Sequence, residues 1–138
     1  VGKGIKQMLS LVSLKDVKGE PLTKGNARGT WVKPLIDQRH GATKFYLRVY
    51  EVEPGGQTPY DQHPYEHEVF VLKGRAHLLT VVDGVPVMQE VKEGDAVFIA
   101  SNQVHQFLNT GQELFQMLCV KGAEHLYTSD AGGGEPKD

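Results

Sequence analysis

The feature that most limits how this chain can fold is its punctuation. Between Phe45 and Val120, turn-forming groups recur at short intervals: Pro54-Gly55-Gly56, Gly74, Asp83-Gly84, Glu93-Gly94-Asp95, Ser101-Asn102-Gln103 and Asn109-Thr110-Gly111. The runs between them are short and rich in β-branched and aromatic residues: Phe45 to Val52, Val69 to Leu72, His77 to Val82, Val85 to Val91, Ala96 to Ala100, Val104 to Leu108 and Leu114 to Val120. No amphipathic helix of ordinary length fits before Gly122, so the pattern predicts an all-β fold, a small antiparallel barrel or sandwich. About nine or ten strands suit a barrel that closes round one ligand cavity.

Outside that block the signals are weaker. Leu9 to Leu14 reads as a short strand and Lys15 to Gly29 as a long surface loop. Trp31 to Ile36 is a strand that Pro34, having no backbone donor, restricts to an edge or a bulge. Phe45, Leu47 and Val49 share one strand face and Tyr46, Arg48 and Tyr50 the other, with Pro54-Gly55-Gly56 expected to end the strand. His40, in the polar turn Asp37 to Thr43, reads as a solvated loop histidine. The chain therefore divides into an N-terminal strand and loop (1–29), a barrel (30–122) and a C-terminal extension (123–138), whose tail from Ala131 carries three successive glycines and is expected to be disordered.

With 138 residues the chain suits one domain, burying roughly two-thirds of the surface its unfolded form exposes. Fifteen Lys and Arg against 17 Asp and Glu give a net charge of −2 without a basic cluster, which argues against a nucleic-acid partner. The single cysteine, Cys119, cannot form an internal disulfide, and no apolar run approaches the ~18 residues of a membrane span. The opening residues hold no apolar run of signal-peptide length, and a first residue of Val reads as a trimmed end. A cytoplasmic protein is expected, whose partner is a small molecule or a second copy of itself.

Chemistry concentrates between Gly55 and Gly74. His63 and His67 are four apart, a helical spacing, and His63-Pro64-Tyr65-Glu66-His67 matches the H-x-x-E-H signature of inverted zinc proteases. Pro64 falls where that helix would have its interior, and Val69-Phe70-Val71-Leu72 continues as β-rich sequence, so a second arrangement is preferred. There Pro64-Tyr65-Glu66 connects two strands, placing His63 and His67 as cross-strand neighbours about 5 Å apart, close enough to share a metal. On one straight strand they would stand ~13 Å apart and could not. Asp61 shares the strand face of His63, and His105 completes the set if its strand lies alongside. Each residue alone is more simply a core or surface residue, and Asp61 a turn cap.

These residues resemble the cupin superfamily, whose motifs are G-x5-H-x-H-x3/4-E-x6-G and G-x5-P-x-G-x2-H-x3-N. The first lies over Gly55 to Gly74, the second over Gly94 to Asn109, and with flanking strands the resemblance covers roughly residues 30 to 120. It implies an antiparallel jelly roll, the double-stranded β-helix, with one metal in its mouth. His63 falls on the second His of the first motif, His105 on the His of the second motif and Asn109 on its closing Asn. Asp61 replaces the first His, and His67 replaces the Glu. Glu68 is one place off, which on a strand turns it to the opposite face. Ala100 and Asn102 stand where the second motif has Pro and Gly, a change expected to loosen that turn.

The expected ligands are thus His63, His67 and His105, with Asp61 as a ligand, a water-mediated contact or a base. They would hold one divalent transition metal, Fe, Mn, Ni, Zn or Cu. Val69, Val71, Phe107 and Asn109 share the parity of the ligands and are expected round the cavity. Arg48 is a candidate clamp for a substrate carboxylate, and Tyr60, Gln57 and Gln116 are weaker candidates. His77 is expected on the outer face, Cys119 as a small core residue, and His125 has no assigned partner. The resemblance implies a metalloenzyme of oxygenase, decarboxylase, isomerase or lyase type acting on a small organic molecule. The other reading is a non-catalytic binding or sensing module, and the family's habit of pairing barrels implies a homodimer.

Overall fold

A computed structural model describes residues 9–127, in which nine strands form one curled antiparallel sheet and no α-helix occurs. The strands are β1 (Glu20–Pro21), β2 (Arg28–Ile36), β3 (Phe45–Gln57), β4 (His67–Lys73), β5 (Arg75–Val82), β6 (Val85–Lys92), β7 (Ala96–Ile99), β8 (His105–Leu108) and β9 (Phe115–Gly122). They run in the order β6-β5-β8-β3-β9-β4-β7, with β2 on the other flank of β3 and β1 against β2. The fold is the all-β barrel that the punctuation predicts, in the jelly-roll form that the resemblance implies. The expected tail from Ala131 onward lies outside the described residues.

The turns do what their residues allow. Asp83 (φ 51°) and Gly84 (φ 76°) are both left-handed, the requirement of a tight hairpin, and they join Val82 to its register partner Val85. Asn102, at the place where the second motif has Gly, also takes a left-handed φ of 64°. Asparagine tolerates that region better than most residues, so the turn keeps its shape and is not loosened. Its backbone N–H donates to the carbonyl of His63 at 2.7 Å, tying this turn to the histidine-bearing stretch between β3 and β4.

Period-two alternation builds the core. On β9, Phe115, Met117, Cys119 and Lys121 are all buried; the first three pack with Tyr50 and Val52 of β3 and Val69 and Val71 of β4, while Lys121 pairs in register with Tyr46 and His67. Pro34 lies beside a register shift in the β2–β3 pairing, the bulge its missing donor predicts.

Four expectations are corrected. The Pro54-Gly55-Gly56 group does not end β3, which continues to Gln57. Gly55, at φ 82°, lets the strand bend while Gly55 N–H donates to Asn109 O and Gly56 O accepts from Asn109 N–H. Leu9 to Leu14 forms no strand, since nothing pairs with it, and the chain instead makes a 3-10 turn at Leu14–Asp16. The segment from Lys15 to Gly29 is more than a surface loop. It contributes β1, packs Leu22 against the core and runs across the barrel mouth. His40 is likewise no bare loop histidine: its Nδ1 accepts from the Asp37 N–H at 3.2 Å, while Asp37 Oδ1 accepts from the Arg39 N–H at 3.0 Å.

Candidate metal centre

The chain between β3 and β4 is extended rather than helical. Asp61 makes an isolated antiparallel bridge to His105, with N–H···O distances of 3.0 Å in both directions, so the start of β8 is fastened beside this segment. Pro64-Tyr65-Glu66 then turns the chain, and His67 opens β4. The protease-like helix is therefore absent.

The corner brings three imidazoles together. His63, His67 and His105 are 2 %, 5 % and 7 % exposed, and their ligand atoms all lie within 4.8 Å of one another. Ring centroids are 4.3 Å apart for His63 and His67, 4.9 Å for His63 and His105, and 5.4 Å for His67 and His105. His63 Nδ1 lies 3.0 Å from the Tyr65 carbonyl and His105 Nδ1 2.9 Å from the Gln103 carbonyl. A carbonyl only accepts, so each Nδ1 carries the proton and each Nε2 the lone pair. Tyr65, fully buried, stacks on His63 at 3.9 Å with the rings 10° apart and holds its plane.

This donor set fits a transition metal. A zinc-like ion reaches imidazole nitrogen at about 2.0–2.1 Å, so ligand nitrogens on one ion stand about 3–4 Å apart, within small ring adjustments of the separations here. Three neutral nitrogens also leave a coordination position open. The three buried histidines can hold a metal ion, and the donor type alone does not select which.

The remaining expected residues are distributed as follows. Asp61 lines the same cavity, but its Oδ2 accepts from Lys24 Nζ at 2.8 Å and its Oδ1 from the Gln62 N–H at 2.9 Å, and its carboxylate stands outside the three-histidine group. The cavity holds about 30 Å³, with Tyr50, Val69, Phe107, Met117 and Cys119 among its walls and Leu22 from the N-terminal segment. Arg48 lines a neighbouring groove instead, its guanidinium 5.0 Å from the centre of the Tyr50 ring. Tyr60 is 52 % exposed and lines neither space. Gln57 donates to the Asn26 carbonyl at 2.8 Å and Gln116 to Glu51 at 2.8 Å. Asn109 is a fastener rather than a cavity wall: its Nδ2 donates to the Val52 and Glu113 carbonyls, both at 2.8 Å. Glu68 is exposed on the outer face, His77 meets Thr110 Oγ1 at 2.6 Å, and His125 sits exposed in the last turn.

Two residues next to the site escaped the sequence reading. Lys24 is set apart only by tertiary structure, having no motif around it. Lys121 carries a signal, since it continues the buried parity of Phe115, Met117 and Cys119, but it lies beyond Val120, the expected end of a strand that runs two residues further, to Gly122. It is 2 % exposed, donates to Glu124, lies 4.4 Å above the Tyr65 ring and pairs in register with His67.

Known proteins share this fold and part of this sequence. Residues 48–121 match the model of the cupin domain family. The polyketide cyclase RemF from Streptomyces resistomycificus is 35 % identical, with a TM-score of 0.76 over 83 % of this chain and 80 % of its own. A cupin-2 domain protein from Rhodospirillum rubrum is 29 % identical, with a TM-score of 0.66 over 79 % of this chain and 70 % of its own. The 1-methylthio-D-xylulose 5-phosphate methylsulfurylase of the same organism is 35 % identical over 78 residues, 56 % of this chain and 47 % of that protein, so the chain spans about half the length of this curated relative. Family model, fold and relatives agree: the chain belongs to the cupin family.

Proposed function

We propose that this chain is a metal-dependent enzyme acting on a small organic molecule that carries a ketone, with His63, His67 and His105 as the metal ligands. The observation that carries the reading is the convergence of three buried imidazoles, two with their tautomer set by carbonyls. The substrate class draws on two relatives, since a polyketide and a xylulose both contain a ketone carbonyl. A divalent ion held there would polarise a substrate oxygen as a Lewis acid. The chain's own residues do the rest. Val69, Phe107 and Met117 keep the cavity apolar, and Tyr65 and the Gln103 carbonyl hold the imidazoles in place. Asp61, when its pair with Lys24 opens, is the base that takes a proton from the carbon beside the ketone and returns it.

Protein made in metal-replete medium should carry about one equivalent of a divalent transition metal, lost in His67→Ala and His105→Ala and retained in Glu68→Ala. In deuterated water, NMR with xylulose and acetophenone should record exchange of the protons beside the ketone. That exchange should stop on chelation and slow in Asp61→Asn. Metal content far below one equivalent, or exchange indifferent to chelation, would end this reading.

A second reading, a non-catalytic sensing module, is favoured by the covering of the cavity. About 30 Å³ beneath Leu22 and the Lys24–Asp61 pair admits an ion and little more. A metal-loaded protein that exchanges no protons with either ketone would support it.

A further inference from the structure

Lys121 puts a charge where the parity of β9 calls for an apolar side chain. The residues that precede it on the inward face, Phe115, Met117 and Cys119, are carbon and sulfur, and Lys121 is as deeply buried as they are. Burying an ammonium is costly unless an acid and further contacts compensate it. Glu124, in the turn after β9, supplies the acid by direct contact. A methionine would fill much the same space without that cost, so the reason for a lysine lies in what its charge touches.

Those contacts lead to the histidines. Lys121 Nζ stands 4.4 Å from the centre of the Tyr65 ring, within the reach of a cation–π contact. Tyr65 in turn lies on His63 as a parallel plate, with 3.9 Å between ring centres and 10° between planes. The carbonyl of the same Tyr65 faces His63 Nδ1 at 3.0 Å, so one residue sets both the tilt and the tautomer of that imidazole. The end of β9 meets this corner twice more: Lys121 pairs in register with His67, and the Gly122 N–H donates to the Glu66 carbonyl at 3.4 Å.

We propose that Lys121 is a positioning residue for the metal centre: its ammonium pins the Tyr65 ring, and the ring holds His63 in the ligand group. The inference rests on the reading of His63, His67 and His105 as metal ligands. Its effect is opposite in sign to that of charge alone. A cation beside a divalent ion repels it, so a lysine acting only by charge would weaken metal binding, and its removal would strengthen it. Glu124 offsets that repulsion and leaves the contact with the ring. A residue that supports a ligand works the other way, and losing such support costs about 10–100-fold in metal affinity.

The test is competition between the full chain and a chelator for cobalt(II), with the visible spectrum of the cobalt-loaded protein read alongside. Lys121→Met keeps much of the side chain's length and removes its charge. It should weaken cobalt binding at least about tenfold and shift the ligand-field bands, which follow the geometry of the donors. Lys121→Arg, which keeps a cation for the ring, should hold affinity within about threefold of the parent. If Lys121→Met does not fold, phenylalanine and trifluorophenylalanine in place of Tyr65 decide, because fluorine drains the ring face that attracts a cation with little change of shape. The fluorinated ring should bind cobalt at least about threefold more weakly than the plain one. Cobalt affinity unchanged or raised in Lys121→Met, Lys121→Arg as weak as Lys121→Met, or equal affinity with the two rings would overturn the proposal and leave the metal centre standing. A parent chain that takes up no cobalt would end the three-histidine reading and this proposal with it.

Discussion

Gly74 shows how much one position can carry. Its φ of 81° already disfavours a side chain, and a Cβ there would sit 2.5 Å from the Leu114 carbonyl oxygen, which is backbone and cannot step aside. Gly55 has a similar φ of 82° but open space around its Cβ position. Gly74→Ala should therefore cost about 2–3 kcal/mol or more, and Gly55→Ala about 1 kcal/mol, readable as a difference in urea midpoint. Asp37 offers a pH-dependent case. Its side-chain hydrogen bond with Arg39 holds its carboxyl below the ordinary 3.8, against the opposing effect of burial. A carboxyl with a lowered folded pKa stabilises fully above its unfolded value and loses that contribution as pH falls through the folded one. Arg39 is largely exposed, so most of the benefit is the turn cap rather than the ion pair. Asp37→Ala should destabilise by about 1 kcal/mol at neutral pH, with the gap to the parent closing below pH 3.8 in acid titrations of thermal stability. His63 and His67 were legible at this scale as neighbours because their four-residue spacing admits few geometries. Lys24 was not, since its importance comes from meeting Asp61 across 37 residues of chain.

The segment from β1 to Asn26 is the element that departs most from expectation. Its composition, polar with Lys and Gly, reads as loop, and it makes only the two-residue strand Glu20–Pro21. What holds it is a set of contacts to the barrel rim: Asn26 Oδ1 accepts from the Tyr60 N–H at 2.9 Å and from Gln106 Nε2 at 3.2 Å, and Lys24 reaches Asp61. Leu22 adds apolar contact with the core. This strap covers the cavity beside the three histidines on a few hydrogen bonds, each worth about 1 kcal/mol net. Asn26→Ala should accordingly cost about 1–2 kcal/mol of global stability while accelerating amide exchange between Glu20 and Asn26 far more than in β9, which hydrogen-exchange mass spectrometry resolves. No local pattern predicts such a strap, because its partners lie on β3 and β8 and in the corner before β4.

At the scale of the molecule, the outer face of β4, β7 and β9 is apolar where a lone barrel would gain from polarity. Phe70 and Phe98 are 45 % and 58 % exposed, beside half-buried Leu118 and Val120, round a groove of about 460 Å³. β7 ends the sheet path, so its outer backbone edge lies next to this patch. An apolar patch beside a sheet edge fits a two-fold contact with a second copy, and the expected homodimer is proposed on that face. Light scattering should return twice the mass of the chain, and Phe98→Glu should halve it; a monomer before the substitution would remove the proposal. No helix among the described residues is long and apolar enough to cross a membrane. The sequence by itself determined the fold class, the hairpin at Asp83-Gly84 and the corner that makes neighbours of His63 and His67, because turn chemistry and side-chain parity are local and the chain offers few ways to satisfy them; that His105 joins them was decided by the strand lying alongside. Only the tertiary structure decided that β3 bends through its glycines, that Asp61 faces Lys24 and that Lys121 is buried beside His67. Each of those depends on which distant strand lies alongside, and residues many positions apart become neighbours only when the sheet closes.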